Sequence, residues 1–173
     1  MIEISQEWLF KEAKDFLSKG EKVIMRVRGN SMNPYLRDRK DAIVLSPTRP
    51  EDLQIGTIVL FTYHGKYILH RIIGRKGEYF VIQGDGVCKN TEIVPEKDII
   101  AIVQTIIRPS GKEVSVQSFG GRIYWFCWRH FRPGRYLLRF LHVIARAKPE
   151  AIQKKIAGWL RYARNDGKVK LTL

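Results

Sequence analysis

Between Lys22 and Ile107 the chain is cut into short apolar runs of period two, separated by turn residues, and this pattern restricts it to an antiparallel β architecture. Val23, Met25 and Val27 alternate with Ile24, Arg26 and Arg28 until Gly29-Asn30-Ser31 breaks the run. Further strands are predicted at Ala42–Leu45, Thr57–Tyr63, Tyr67–Ile73, Tyr79–Gln83 and Ile99–Ile107. The pieces between them include SPTRPED, YHGK and GRKGE, and the last two have the composition of hairpin turns. Short strands at this spacing with hardly any helix predict a mainly β domain: an antiparallel sheet, a coiled barrel or a sandwich. One more alternating piece, Glu113–Gln117, precedes Gly120-Gly121, which reads as a hinge.

The flanks have a different period. Ile4, Trp8, Phe10, Ala13 and Leu17 fall at helical spacing, with Gly20 as a stop, which predicts one N-terminal helix packed on the domain. A DNA-binding module would need a second helix after a tight turn, and strand-like sequence follows instead. Charge divides the chain as well: of the net +14, residues 1–118 contribute little, with 18 Lys/Arg against 15 Asp/Glu, whereas residues 119–173 hold 13 against 2. In that tail Arg135, Arg139, His142 and Arg146 share one helical face opposite Leu137, Leu138, Leu141 and Ile144, and a second helix is expected from Pro149. The expected organisation is therefore an N-terminal helix at 1–21, a β domain at 22–118 and a basic, aromatic, helical extension at 119–173.

Several function classes drop out. MIEISQEWLF carries acidic residues where a secretory signal is positive, and no apolar run reaches 18 residues, so a cytoplasmic or peripheral-membrane location is expected. Cys88 and Cys127 lie in no CxxC pair and have no His at ligand spacing, which predicts free thiols and no metal or other cofactor.

Chemistry concentrates in RGNSMNPYL, residues 28–36. A serine in a Gly/Asn turn directly after a strand presents its hydroxyl beside backbone N–H groups that can stabilise an oxyanion. GNSMNPYL followed by DAIVL resembles the serine box of type I signal peptidases and of LexA-like self-cleaving repressors. GTIVLF followed by YILHRII is similar to the hairpin on which those families place their general base, and QGDG, NTE and IIAIV resemble their Gly-Asp box and closing strand. Three boxes in this order over residues 22–107 identify the chain as a member of the signal peptidase I/LexA-like superfamily, with its coiled antiparallel β fold.

The resemblance implies a serine endopeptidase in which Ser31 attacks a scissile carbonyl and His70 takes its proton. A histidine at the position of the family's lysine is the pattern of the endoplasmic-reticulum and archaeal-type Ser-His branch. An acid should orient the imidazole. Asp85, in the Gly-Asp box, is the first choice and Glu92 the alternative, because GVCKNTE lacks the acidic run that normally follows. Asp98 reads as a turn residue flanking a strand. Met32 and Tyr35 either line the substrate groove or belong to the core.

The implied partner is a leader or precursor peptide, bound extended against a sheet edge with small residues next to the cut. Tyr124, Trp125, Phe126, Trp128 and Phe131 either lie in an anionic lipid surface, as part of a contact through residues 123–161, or pack back onto the β domain. Nucleic acid is not the expected partner, since no recognised motif accompanies the basic residues. The alternatives to a dedicated processing enzyme are a LexA-like self-cleaving regulator and an inactive β domain acting as a membrane or protein adaptor.

Overall fold

The structure, a computed structural model, describes residues 6–87 and 89–130. Helix α1 spans Gln6–Ser18, and the strands are β1 (Val23–Arg26), β2 (Ala42–Pro47), β3 (Ile58–Tyr63), β4 (Lys66–Lys76), β5 (Tyr79–Gln83), β6 (Glu92–Pro95), β7 (Ile99–Ile107) and β8 (Glu113–Ser115). Helix α2 follows at Phe119–His130. The chain is mainly β, as its periodicity requires. All strand pairs are antiparallel, in the order β1-β2-β7-β3-β4-β5-β6, and β8 pairs with the end of β7.

Local chemistry sets the turns. In YHGK, His64 and Gly65 both take positive φ, 49° and 73°, which gives the two-residue β3–β4 connection the twist of its strands. The expected strands appear within a few residues, but β6 carries too short a pattern to announce itself and was not foreseen. Gly120 and Gly121, read as a hinge, instead lie in the first turns of α2. The reason is steric: a side chain on Gly121 would collide with the Val116 carbonyl, so glycine lets the helix start against β8.

Two apolar layers flank the sheet. One gathers Leu17, Val27, Met32, Leu36, Leu45, Ile58, Leu60, Val103 and Ile106; the other gathers Val59, Phe61, Ile72, Phe80, Ile82 and Val94. Helix α1 closes the first layer with Ala13 and Leu17, which are buried, while Phe10 stacks on Tyr67 at 4.3 Å between ring centroids. Asp41 is buried at the base of the serine loop and accepts from Arg37, through its backbone N–H and guanidinium, and from Arg108 at 2.7 Å. Burial alone would raise its carboxyl pKa, but those bonds and charges outweigh it and hold the group below the usual carboxylate range.

Candidate active site

Strand alternation decides which side chains can meet. Along β4, His70 and Arg71 are adjacent, so they point to opposite faces. Register then assigns their neighbours: Ile72 pairs with Ile82, and Ile82 with Glu92, so Glu92 shares the face of Ile72 and His70. Arg71 pairs with Gln83, and Asp85 follows two residues later in the same phase. The geometry agrees with this parity. His70 Nδ1 lies 3.1 Å from Glu92 Oε2, with side-chain exposures of only 7% and 14%. Asp85 instead receives a two-pronged bond from Arg71, 2.9 Å from Nε to Oδ1 and 2.7 Å from Nη2 to Oδ2.

Ser31 sits half-buried in the turn that follows β1. Gly29 takes a φ of +94°, its N–H donates to Asp38 Oδ1 at 2.8 Å, and Asn33 Nδ2 donates to Asn30 Oδ1 at 2.8 Å, which fixes both ends of the turn. The Gly84–Gly86 loop closes against it. Gly86 N–H donates to the Ser31 carbonyl at 2.7 Å. A methyl group on Gly84 would stand 2.5 Å from that carbonyl oxygen and 2.8 Å from His70 Nε2, so the serine backbone and the imidazole edge converge on one glycine. The structure therefore brings together Ser31, His70, Gly84 and Glu92, and sets the Asp85 carboxylate on Arg71.

A groove of roughly 230 Å³ opens beside Ser31, walled by Val27, Arg28, Gly29 and Met32 on one side and by Tyr67, Ile68 and Leu69 on the other. Met32 is both core and groove wall, whereas Tyr35 is buried in the core, its ring 4.5 Å from that of Tyr124. Asp98 ends a short 3₁₀ turn before β7, as a strand-flanking residue should.

Behind the site, the Arg71–Asp85 pair is almost completely excluded from water, at 1% and 0% exposure. The Arg71 guanidinium also donates from Nη1 to the Gly56 carbonyl at 2.8 Å and lies 4.8, 5.3 and 5.8 Å from the ring centroids of Tyr35, Trp125 and Tyr124. Burial alone would ease its deprotonation, but the charge of Asp85 more than offsets that and raises its pKa. Burial pushes the Tyr35 and Tyr124 hydroxyls up as well, keeping both neutral.

This arrangement was not foreseen, although YILHRII contained its signal. An arginine in the middle of an apolar strand has to find a buried acid. The aromatic tail resolves in part: Tyr124, Trp125 and Trp128 face the β domain, while Phe119, Ile123 and Phe126 are exposed. Cys127 is a free, exposed thiol. Cys88, Phe131 and the helices expected at Arg135–Arg146 and beyond Pro149 lie outside the described residues.

A mainly β chain built on an eight-stranded antiparallel sheet, with a helix before it and a helix after it, is consistent with the signal peptidase I/LexA-like serine peptidase superfamily. The Peptidase S24-like family model matches residues 2–114, and the chain belongs to that family. The match covers α1 and every strand through β7 and ends inside β8, leaving α2 beyond it. No curated protein matches the chain. Among the described residues, no helix is long and apolar enough to cross a membrane.

Proposed function

We propose that the chain is a serine endopeptidase of the Ser-His type that cleaves a leader or precursor peptide, with Ser31 as nucleophile, His70 as general base and Glu92 as the acid that orients it. The observation that carries this reading is the buried imidazole held by Glu92 at one nitrogen, with its other nitrogen and the Ser31 main-chain carbonyl both lying against Gly84. A carboxylate at Nδ1 selects the tautomer with its proton there, which leaves Nε2 free to accept one. Histidine titrates close to neutrality, so it needs no deep desolvation to act as base, in contrast to lysine.

In the proposed reaction the Ser31 hydroxyl oxygen bonds to the scissile carbonyl carbon while its proton passes to His70 Nε2. The tetrahedral adduct then expels the amine, which takes that proton and leaves an acyl-enzyme. Water attacks the ester, His70 receives the water's proton and returns it to Ser31, and the new carboxylate departs. The substrate lies extended in the groove between Val27–Gly29 and Tyr67–Leu69.

Cleavage of candidate precursor peptides by wild type, Ser31→Ala and His70→Ala tests the assignment. Loss of cleavage in both variants is expected; unchanged cleavage in either removes that residue from the mechanism.

The outward stripe of Phe119, Ile123 and Phe126, with exposed Arg122 and Arg129 beside it, supports a second proposal: the extension rests on an anionic lipid surface through residues 123–161. Each basic residue near such a surface contributes about 1 kcal/mol. Co-sedimentation with phosphatidylglycerol vesicles, lost in high salt and absent with phosphatidylcholine, is the expected result, and equal binding to both lipids overturns it.

A further inference from the structure

We propose that helix α2, which lies beyond the family-matched segment, is a clasp that holds the Gly84–Gly86 loop against Ser31 and His70, with Trp128 as its positioning residue; the proposal rests on the peptidase reading above. The indole N–H of Trp128, itself buried, donates to the Asp85 carbonyl at 2.9 Å. That carbonyl belongs to the middle residue of a three-residue loop whose two glycines make the contacts with the site: Gly86 N–H with the Ser31 carbonyl, and Gly84 with the Ser31 carbonyl and His70 Nε2.

Asp85 is thus fixed at two points, its carboxylate by Arg71 from β4 and its carbonyl by Trp128 from α2. The rest of α2 seats Trp128. Trp125 stacks on it at 5.1 Å between ring centroids and lies against Gly56, the residue whose carbonyl accepts from Arg71. Tyr124 stacks on Tyr35. Gly56, at a φ of +103°, has no side chain to displace the Trp125 indole: a Cβ there would stand 3.0 Å from its Nε1. Aromatic residues in a basic extension therefore serve the loop that positions the nucleophile and the base, rather than only covering apolar surface.

The decisive variant is Trp128→Phe in the full chain, because phenylalanine keeps an aromatic ring beside Trp125 while removing the N–H donor. Loss of one buried neutral hydrogen bond predicts a fall in kcat of about three- to tenfold. KM should be unchanged, since the groove walls at Val27–Gly29 and Tyr67–Leu69 are untouched. Cys127→Ser, at an exposed position of the same helix, should leave both constants unchanged.

Amide hydrogen exchange provides a readout independent of turnover. The Gly86 amide, bonded to Ser31, should exchange at least about threefold faster in Trp128→Phe, while core amides of β3 and β7 keep their rates. Unchanged exchange at Gly86 overturns the clasp whatever the rate does, and so does an equal acceleration of every amide, which would mark a merely structural helix. A wild type that cleaves no precursor and fails to label with a fluorophosphonate probe, yet shows the Gly86 effect on Trp128→Phe, would dismiss the peptidase reading and leave the clasp standing.

Discussion

The assignment of Glu92, rather than Asp85, as the partner of the general base is open to a double-mutant cycle. Glu92 Oε2 lies 3.1 Å from His70 Nδ1, and both side chains are largely withdrawn from water. A hydrogen bond to a charged group in such a setting contributes about 1.5–3 kcal/mol. In the proposed mechanism His70 gains its charge by taking the Ser31 proton, which would place most of that energy in the transition state. Glu92→Ala should therefore lower kcat/KM by about ten- to a hundredfold, mostly in kcat, and Glu92→Gln should recover part of it by keeping an acceptor at Nδ1.

His70→Ala should cost more, because it removes the base itself. Adding Glu92→Ala to His70→Ala should then change the residual rate by less than about twofold, since the carboxylate acts only through the imidazole. The assay is hydrolysis of a cleavable precursor by purified full chain, with burst titration of Ser31 to count active molecules. Losses that multiply across the two sites would show that Glu92 acts independently of His70 and would refute the assignment.

Arg71→Met should destabilise the fold by about 3–5 kcal/mol, because it leaves the Asp85 carboxylate buried without a counter-charge at 0% exposure. A shift in the urea midpoint worth under about 1 kcal/mol would show that water reaches the pair. Gly84→Ala inserts a methyl group 2.5 Å from the Ser31 carbonyl and 2.8 Å from His70 Nε2, neither of which lies on a flexible side-chain end, so kcat should fall about a hundredfold with the far-UV spectrum unchanged. Full activity in that variant would place His70 elsewhere. Asp41 has a lowered carboxyl pKa, so its stabilisation is complete above its unfolded value of about 3.9 and is lost as pH falls through the lower folded value. The stability gap between wild type and Asp41→Asn should accordingly be constant near neutrality and shrink below about pH 4 in urea titrations; a gap that stays level down to pH 2 would contradict the linkage.

What the sequence could and could not disclose follows from the range of each signal. Alternation and turn chemistry are local, so β1 to β5 and β7 were readable within a few residues, and the serine box was readable as a strand running into a Gly/Asn turn. Strand β6 was not: four residues ending in Pro95, at the edge of the sheet, carry no alternation long enough to distinguish from a loop. That omission had a chemical consequence. Without β6, Glu92 has no assigned face in the sequence, and only its place in the Gly-Asp box puts Asp85 ahead of it.

Once β4, β5 and β6 are paired, the neighbours of His70 and Arg71 follow from counting. His70 and Glu92 are linked through Ile72 and Ile82 on one face, while Arg71 and Asp85 are linked through Gln83 on the other. Two neighbouring polar residues in the apolar run YILHRII thus imply two polar sites on opposite faces of β4: one that holds the imidazole, and one that holds the loop against which the imidazole and Ser31 meet. The first is supplied from β6. The second is closed by aromatic residues of α2, whose inward and outward faces composition alone could not separate, because Trp125 and Phe126 are adjacent in sequence and lie in opposite environments.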